Sequence, residues 1–354
     1  MRIGDREVSA KEMVLGVILA LVAGTIVWVM LKKAPAPKIG QPGFGLVLMQ
    51  GGQPGAGKGQ FAYPRGAAIN GDGDVYIADS RNNRVERFRG SDWQFLGDFG
   101  GLFDAMASTK GDAKKLATEA LGKLHEPNGI AIGPDDTVYV ADTWNYRVQV
   151  FTKKGKAKFA FAADDGFFAP RELVVDPMGN CFVADTGKHR IVKFDKNGKK
   201  IKAFGSQGDK EGMFNEPIGL ALDQAGNLYV ADRINQRIEV FSGEGQFIRQ
   251  FPAKWVLPFN KVPDGKHYKM VPEQIDIEPH LALDKAHGVI YASDGKGKKV
   301  LAFKLDGTPA GALDNNSNGA PLFNVPVGVA VDKDGNLLVV DAGAGRLVKV
   351  KGLY

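Results

Sequence analysis

Val140-Ala141-Asp142-Thr143-Trp144-Asn145-Tyr146-Arg147-Val148-Gln149-Val150-Phe151 reads as a strand, a tight polar link and a second strand. The same order returns in Val183-Ala184-Asp185 before Arg190-Ile191-Val192-Lys193-Phe194, and in Val230-Ala231-Asp232 before Arg237-Ile238-Glu239-Val240-Phe241. Ala78-Asp79 with Arg84-Val85 is an earlier copy. Ser293-Asp294 with Lys299-Val300, and Val340-Asp341 with Arg346-Leu347, are later, worn copies. Strand-like copies at a spacing of roughly 40–60 residues mark a repeat array.

Working outward, each copy opens on a proline and an apolar alternation, as in Pro217-Ile218-Gly219-Leu220-Ala221-Leu222. Gln224-Ala225-Gly226-Asn227 is a turn, and Leu228 to Asp232 is a second strand rich in β-branched and aromatic residues. Arg237 to Phe241 and Gln246 to Phe251 follow as the third and fourth strands. Four short strands in a meander make one propeller blade. The Gly-Asn pairs 179–180, 226–227 and 335–336 supply the positive φ of tight hairpins. The Asp stands five residues before Arg in every copy, with Lys299 replacing Arg once. That carboxylate is expected to accept backbone N–H groups of the turn and to pair with the cation.

The pattern P-x-G-ϕ-A-ϕ-D…G-N-ϕ-Y-V-A-D-(S/T)-x-N-x-R-ϕ-x-x-F resembles the NHL repeat, almost fully in four copies and loosely in two. The resemblance covers 44–354. It implies an all-β, six-bladed β-propeller and leaves the activity open, because propellers of this kind include amidating lyases, RNA-binding modules, sensors and scaffolds. The last copy stops just after its third strand, Leu347 to Val350. Phe44 to Gly51 has no place in the first copy and is expected to close the last blade by pairing with that strand.

Ahead of the propeller, Met13 to Leu31 is free of charge and long enough to span a bilayer as a helix. It ends in Lys32-Lys33 and Ala34-Pro35-Ala36-Pro37, which suits cleavage by a signal peptidase poorly. The expected organisation is a short tail (1–12), a transmembrane helix (13–31), a Pro-rich tether (32–43) and the propeller (44–354). Flanking cations tie at three on each side: Arg2, Arg6 and Lys11 against Lys32, Lys33 and Lys38. The short tail places the propeller outside, so the expected location is a bacterial-type inner or plasma membrane, single-pass, with a periplasmic propeller. Gly16, Ala20 and Gly24 form a small-residue stripe that lets another helix approach.

The net charge of +6 is spread over turns without an arginine-rich run. With the domain outside the cytoplasm, nucleic acid is not an expected partner. Cys181 aligns with core strand positions and reads as a small hydrophobe. Gly52 to Lys58 approaches a phosphate loop, but Gly59 stands where Ser or Thr is needed. Asn70, Asp72 and Asp74 alternate like calcium ligands, without the later bidentate acid.

Innermost strands line the channel mouth of a propeller, and their first residues after the opening prolines are Arg65, Asn128, Arg171, Ile218, His280 and Val327. One place further on the better copies carry glycine, whereas Glu172 and Leu281 stand there in two blades. Arg65, Asn128, Arg171, Glu172 and His280 are therefore the candidates for holding a ligand. With one histidine among them, no metal site, no cofactor and no catalytic set is expected. The insertion 252–278 mixes Trp255, Phe259 and Tyr268 with lysines and is the expected partner surface. A second insertion, Asp112 to Leu124, has helical spacing. Function reads as a membrane-anchored, non-catalytic accessory or scaffold subunit of a membrane complex, touching the lipid bilayer and other subunits. The competing readings are a propeller enzyme of the lyase or lactonase type, or a ligand-binding sensor that uses the channel mouth.

Overall fold

The computed structural model describes residues 43–44, 46–104, 120–162, 164–256, 259–261, 268–270, 278–316 and 319–353. Its strands form six antiparallel meanders, the six blades of a propeller. Blade 1 runs Pro64–Ile69, Asp74–Asp79, Arg84–Arg89 and Phe95–Gly100 from the axis outward. Blades 2 (130–161), 3 (170–204), 4 (217–252) and 5 (281–315) repeat the order. The second strands are buried along their whole length in blades 2 to 6, because a blade is covered on both faces by its neighbours.

The apolar core is divided in the same way. Six clusters of buried side chains lie one between each pair of adjacent blades. Phe99 meets Phe151 with ring centroids 4.7 Å apart, and Phe161 meets Phe194 at the same 4.7 Å one seam further on. Cys181 is fully buried in the seam between blades 2 and 3, and burial pushes its thiol pKa far up, so it packs as a hydrophobe.

Blade 6 holds Pro326–Val331, Leu337–Asp341 and Arg346–Val350, and its outer strand is Val47–Gly51. Val47 pairs with Val350 and Gly51 with Leu347, so the ring closes with an N-terminal strand as expected. One boundary is corrected: Gly43–Phe44 leaves the closing strand and pairs in parallel with Pro309–Asn315 of blade 5. The N-terminal segment thereby touches two blades and bridges their seam.

Each Asp near the end of a second strand locks a blade junction. Asp142 accepts the His125 N–H at 2.7 Å, Asn145 Nδ2 at 3.0 Å and Arg147 Nε at 2.7 Å. In blades 1, 2, 3, 4 and 6 the backbone donor comes from the segment entering the blade, whereas in blade 5 the turn supplies one, Gly297 N–H to Asp294 at 2.9 Å, as the sequence suggested. The bond from the entering segment joins Ala62 to Asp79, Phe168 to Asp185, Asn215 to Asp232 and Asn324 to Asp341. Blade 5 is weaker: Lys299 stands 4.0 Å from Asp294, whose Oδ2 has no hydrogen bond. The residue before each cation is left-handed, with φ of 57° at Asn83, 55° at Tyr146, 52° at His189, 53° at Gln236, 55° at Lys298 and 58° at Gly345. For a residue with a Cβ this costs about 1–2 kcal/mol, and the buried lock offsets it. The hydroxyls of Ser80, Thr143 and Thr186 donate to the carbonyls of Pro127, Pro170 and Pro217, which ties each lock to the next blade.

Among the described residues, no helix is long and apolar enough to cross a membrane. The expected tail, membrane span and most of the tether, with Gly16, Ala20 and Gly24, lie outside those residues. So does most of the 112–124 segment.

Candidate functional site at the channel mouth

The residue two places after each opening proline decides how closely the innermost strands approach. Gly66 donates its N–H to the Asn128 carbonyl at 3.0 Å, and Gly129 donates to the Arg171 carbonyl at 2.7 Å. A Cβ on either glycine would collide with the carbonyl that it bonds. These contacts clamp the strand starts of blades 1, 2 and 3 together and fix the backbone beneath Arg65, Asn128 and Arg171. Below the mouth the channel encloses about 190 Å³ and is mostly aliphatic, with Ala67, Ile130, Leu173, Leu220, Leu281 and Val329 in its wall.

The five sequence candidates meet at the mouth, around a residue that the sequence reading placed in the insertion. Glu278 is 1% exposed and takes Arg65 Nη1 at 3.0 Å and Asn128 Nδ2 at 2.7 Å on Oε2. Arg171 Nη1 lies 3.1 Å from its other oxygen. His280, also 1% exposed, bonds Glu172 through Nδ1, and its Nε2 stands 3.8 Å from Glu278. That last separation is an ion pair without a hydrogen bond. The guanidinium of Arg171 lies 5.7 Å from the Trp144 ring centroid.

Burial opposes charge on Glu278, but Arg171, Arg65 and His280 outweigh it and hold the carboxyl well below its usual range. Burial likewise opposes charge on His280, yet Glu172 and Glu278 push its pKa up to about 9. The mouth thus gathers Arg65, Arg171 and His280 around the carboxyl groups of Glu278 and Glu172. Among the described residues, no three His, Cys, Asp or Glu side chains gather so as to hold a metal ion.

Glu278 escaped sequence reading because Glu126 and Glu216 occupy the same place, just before the proline, and face elsewhere. Glu126 accepts from Trp144 Nε1 and Glu216 pairs with Arg233. The backbone is left-handed at Tyr63, Glu126, Ala169 and Glu216. The available signal was Ser293, which replaces the alanine of Ala78, Ala141, Ala184 and Ala231. Its hydroxyl accepts the His280 N–H at 2.9 Å and donates to the Glu278 carbonyl at 3.3 Å, so this worn position seats the segment that carries both groups.

The expected partner contacts stand differently. Trp255 is 3% exposed, packs between blades 4 and 5 and donates Nε1 to the Arg233 carbonyl at 2.7 Å. As a core residue it offers no face to a partner, which corrects its reading as a surface anchor. Phe259 and Tyr268 lie on a separate hairpin in which Phe259–Lys261 pairs with Tyr268–Met270.

The sequence model of the NHL repeat matches residues 61–88, 124–151, 214–241 and 323–350. These fall in blades 1, 2, 4 and 6, so the chain is a six-bladed propeller that carries NHL repeats. The copy in blade 3, read from sequence as a clear one, is unmatched, and the worn copy in blade 6 is matched. The unmatched blades are 3 and 5, which supply Arg171, Glu172, Glu278 and His280 to the mouth. A segment of 40 residues is 45% identical to Protein brain tumor of Drosophila melanogaster, covering 11% of this chain and 4% of that protein's length. A Xanthomonas campestris gluconolactonase superposes with a TM-score of 0.57 at 13% identity, over 90% of this chain and 98% of its own. A streptogramin B lyase gives 0.50 at 14% identity, over 82% of this chain and 94% of its own. At such identities these structures share the fold.

Proposed function

We propose that this protein is a non-catalytic propeller, anchored in a bacterial-type inner membrane by residues 13–31, that serves as an accessory or scaffold subunit of a membrane complex. The observation that carries this reading is the state of the channel mouth. An enzyme working there needs an acid, base or electrophile within reach of substrate. Here His280 and Glu278 are each 1% exposed, and Arg65 and Arg171 are turned onto Glu278. With the mouth filled by Glu278 in this way, the outer surface of the ring and residues 13–31 supply the partner contacts in this reading.

Two segments are the contact elements in this reading. The Gly16, Ala20 and Gly24 stripe docks on a partner helix, where a larger side chain would force the backbones apart. The hairpin of Phe259–Lys261 and Tyr268–Met270 is the second element, in place of the interior Trp255. The short Pro-rich tether keeps the propeller near the bilayer on the periplasmic side.

Mild detergent extraction of the full-length chain, affinity capture and mass spectrometry test the proposal. The expected result is a fixed set of membrane proteins at constant stoichiometry, lost in the Gly16→Ile/Gly24→Ile variant while its propeller still melts as wild type. A monodisperse single chain that turns over lactone or ester substrates would overturn it in favour of an enzyme.

A further inference from the structure

We propose that Arg65, Asn128 and Arg171 form a carboxylate-binding site at the channel mouth, which Glu278 fills from within the chain and for which a free small carboxylate competes. The site and its present occupant have separate origins. The three donors come from the strand starts of blades 1, 2 and 3, fixed by the Gly66 and Gly129 bonds, whereas Glu278 enters ahead of blade 5. Asn128 and Glu278 are 150 residues apart in the chain. Both carboxylate oxygens are taken, Oε2 by Arg65 and Asn128 at 3.0 and 2.7 Å and Oε1 by Arg171 at 3.1 Å. Charged donors set from several sides around one carboxylate make a specific acceptor site, and donors clamped in advance lose little freedom on binding.

Glu278 leaves part of this site unused. His280 Nε2, 3.8 Å from Glu278, is buried beside it without a hydrogen-bond partner. A purely structural plug is expected to satisfy such atoms. A tethered carboxylate acts at an effective concentration in the millimolar range, so it hides the site from weak free ligands. Removing it exposes the cradle.

Isothermal titration of acetate into full-length protein tests this, with acetamide as the uncharged isostere. Glu278→Ala is expected to bind acetate saturably, with affinity at least about 100-fold above that of wild type, and to ignore acetamide. Arg171→Gln in the Glu278→Ala background is expected to lose the binding. Should Glu278→Ala not fold in chloride buffer, Glu278→Ser is the second variant, and folding of either on addition of acetate supports the same conclusion. Absence of saturable binding in a folded variant, an equal response to acetamide, or failure of both variants to fold even with acetate present would each overturn the proposal.

Discussion

The Asp locks and the channel mouth lie one strand apart on the same face of the ring, yet they are built on opposite plans. Pro64 pairs with Asp79, Pro170 with Asp185 and Pro217 with Asp232, so each lock sits beside the strand start that lines the mouth. At the lock, one arrangement of acid and cation recurs around the ring, and its partners lie within five residues or in the adjoining segment. At the mouth, the six equivalent positions hold Arg65, Asn128, Arg171, Ile218, His280 and Val327, and the polar ones among them take partners from other blades. Repetition preserves interactions that a blade makes with itself and its neighbour. Departure from repetition marks residues whose partners are in distant blades.

The largest expected effect tests whether the locks are equivalent. Asp142→Ala strands the fully buried Arg147, and breaking a buried pair in this way costs about 3–5 kcal/mol. Asp294→Ala removes an acid whose lysine stands 4.0 Å away, and is expected to cost less than half as much. Urea denaturation of both variants decides it; equal losses would show that lock strength does not follow the geometry of the pair.

A middle-sized effect separates lock from mouth by pH. Gln149 in blade 2 accepts the Gly122 N–H at 2.8 Å and donates to Asp142 at 2.9 Å. Glu86 and Glu239 hold that place in blades 1 and 4; each accepts a glycine N–H at 3.2 Å through Oε1, and Oε2 has no partner. Burial, opposed by Arg84 and Arg237, pushes both carboxyls up to about 7. A protonated Oε2 supplies the donor that Gln149 has by nature. Because the folded pKa is raised, this stability is fully present below the unfolded value of 4.5 and is lost as pH rises through about 7. Glu86→Gln with Glu239→Gln is therefore expected to stabilise the protein at pH 8 by about 2–4 kcal/mol. His280 works in a later window, with stability present below 6.5 and lost as pH rises through about 9. Denaturation from pH 5 to 10 is expected to flatten below pH 7 in the glutamine variant and above it in His280→Gln. A single shared transition would remove the distinction between the two regions.

The smallest effect probes the seat of the mouth. Ser293→Ala restores the residue of the sister blades and removes two hydrogen bonds to the segment bearing Glu278 and His280. A loss of about 1–2 kcal/mol is expected. Ala231→Ser in blade 4, where no such segment calls for the hydroxyl, is expected to bring no gain; a gain there would mean that the serine acts locally.

The blades, the hairpin glycines, the closing strand and the burial of Cys181 were legible because each follows from local pattern and period. The five mouth candidates were legible as positions for the same reason. Their chemistry was not, since the centre of the site is Glu278, which holds Arg65, Asn128 and Arg171 from distant blades while Glu126 and Glu216 at the same place hold Trp144 and Arg233. Trp255 misled for a related reason. An aromatic among lysines has the composition of an interface, but the insertion tucks it back between blades 4 and 5.

The closing strand has a consequence in time. Gln50 and Arg346, which meet across the seam, are 296 residues apart. At about 5–20 residues per second of synthesis, the closing strand waits roughly 15–60 s for its partner. Its exposed N–H and C=O groups are unpaired throughout that interval. The ring cannot close before Arg346–Val350 is made, and a chain interrupted before Arg346 carries a free strand edge that a second molecule can pair with.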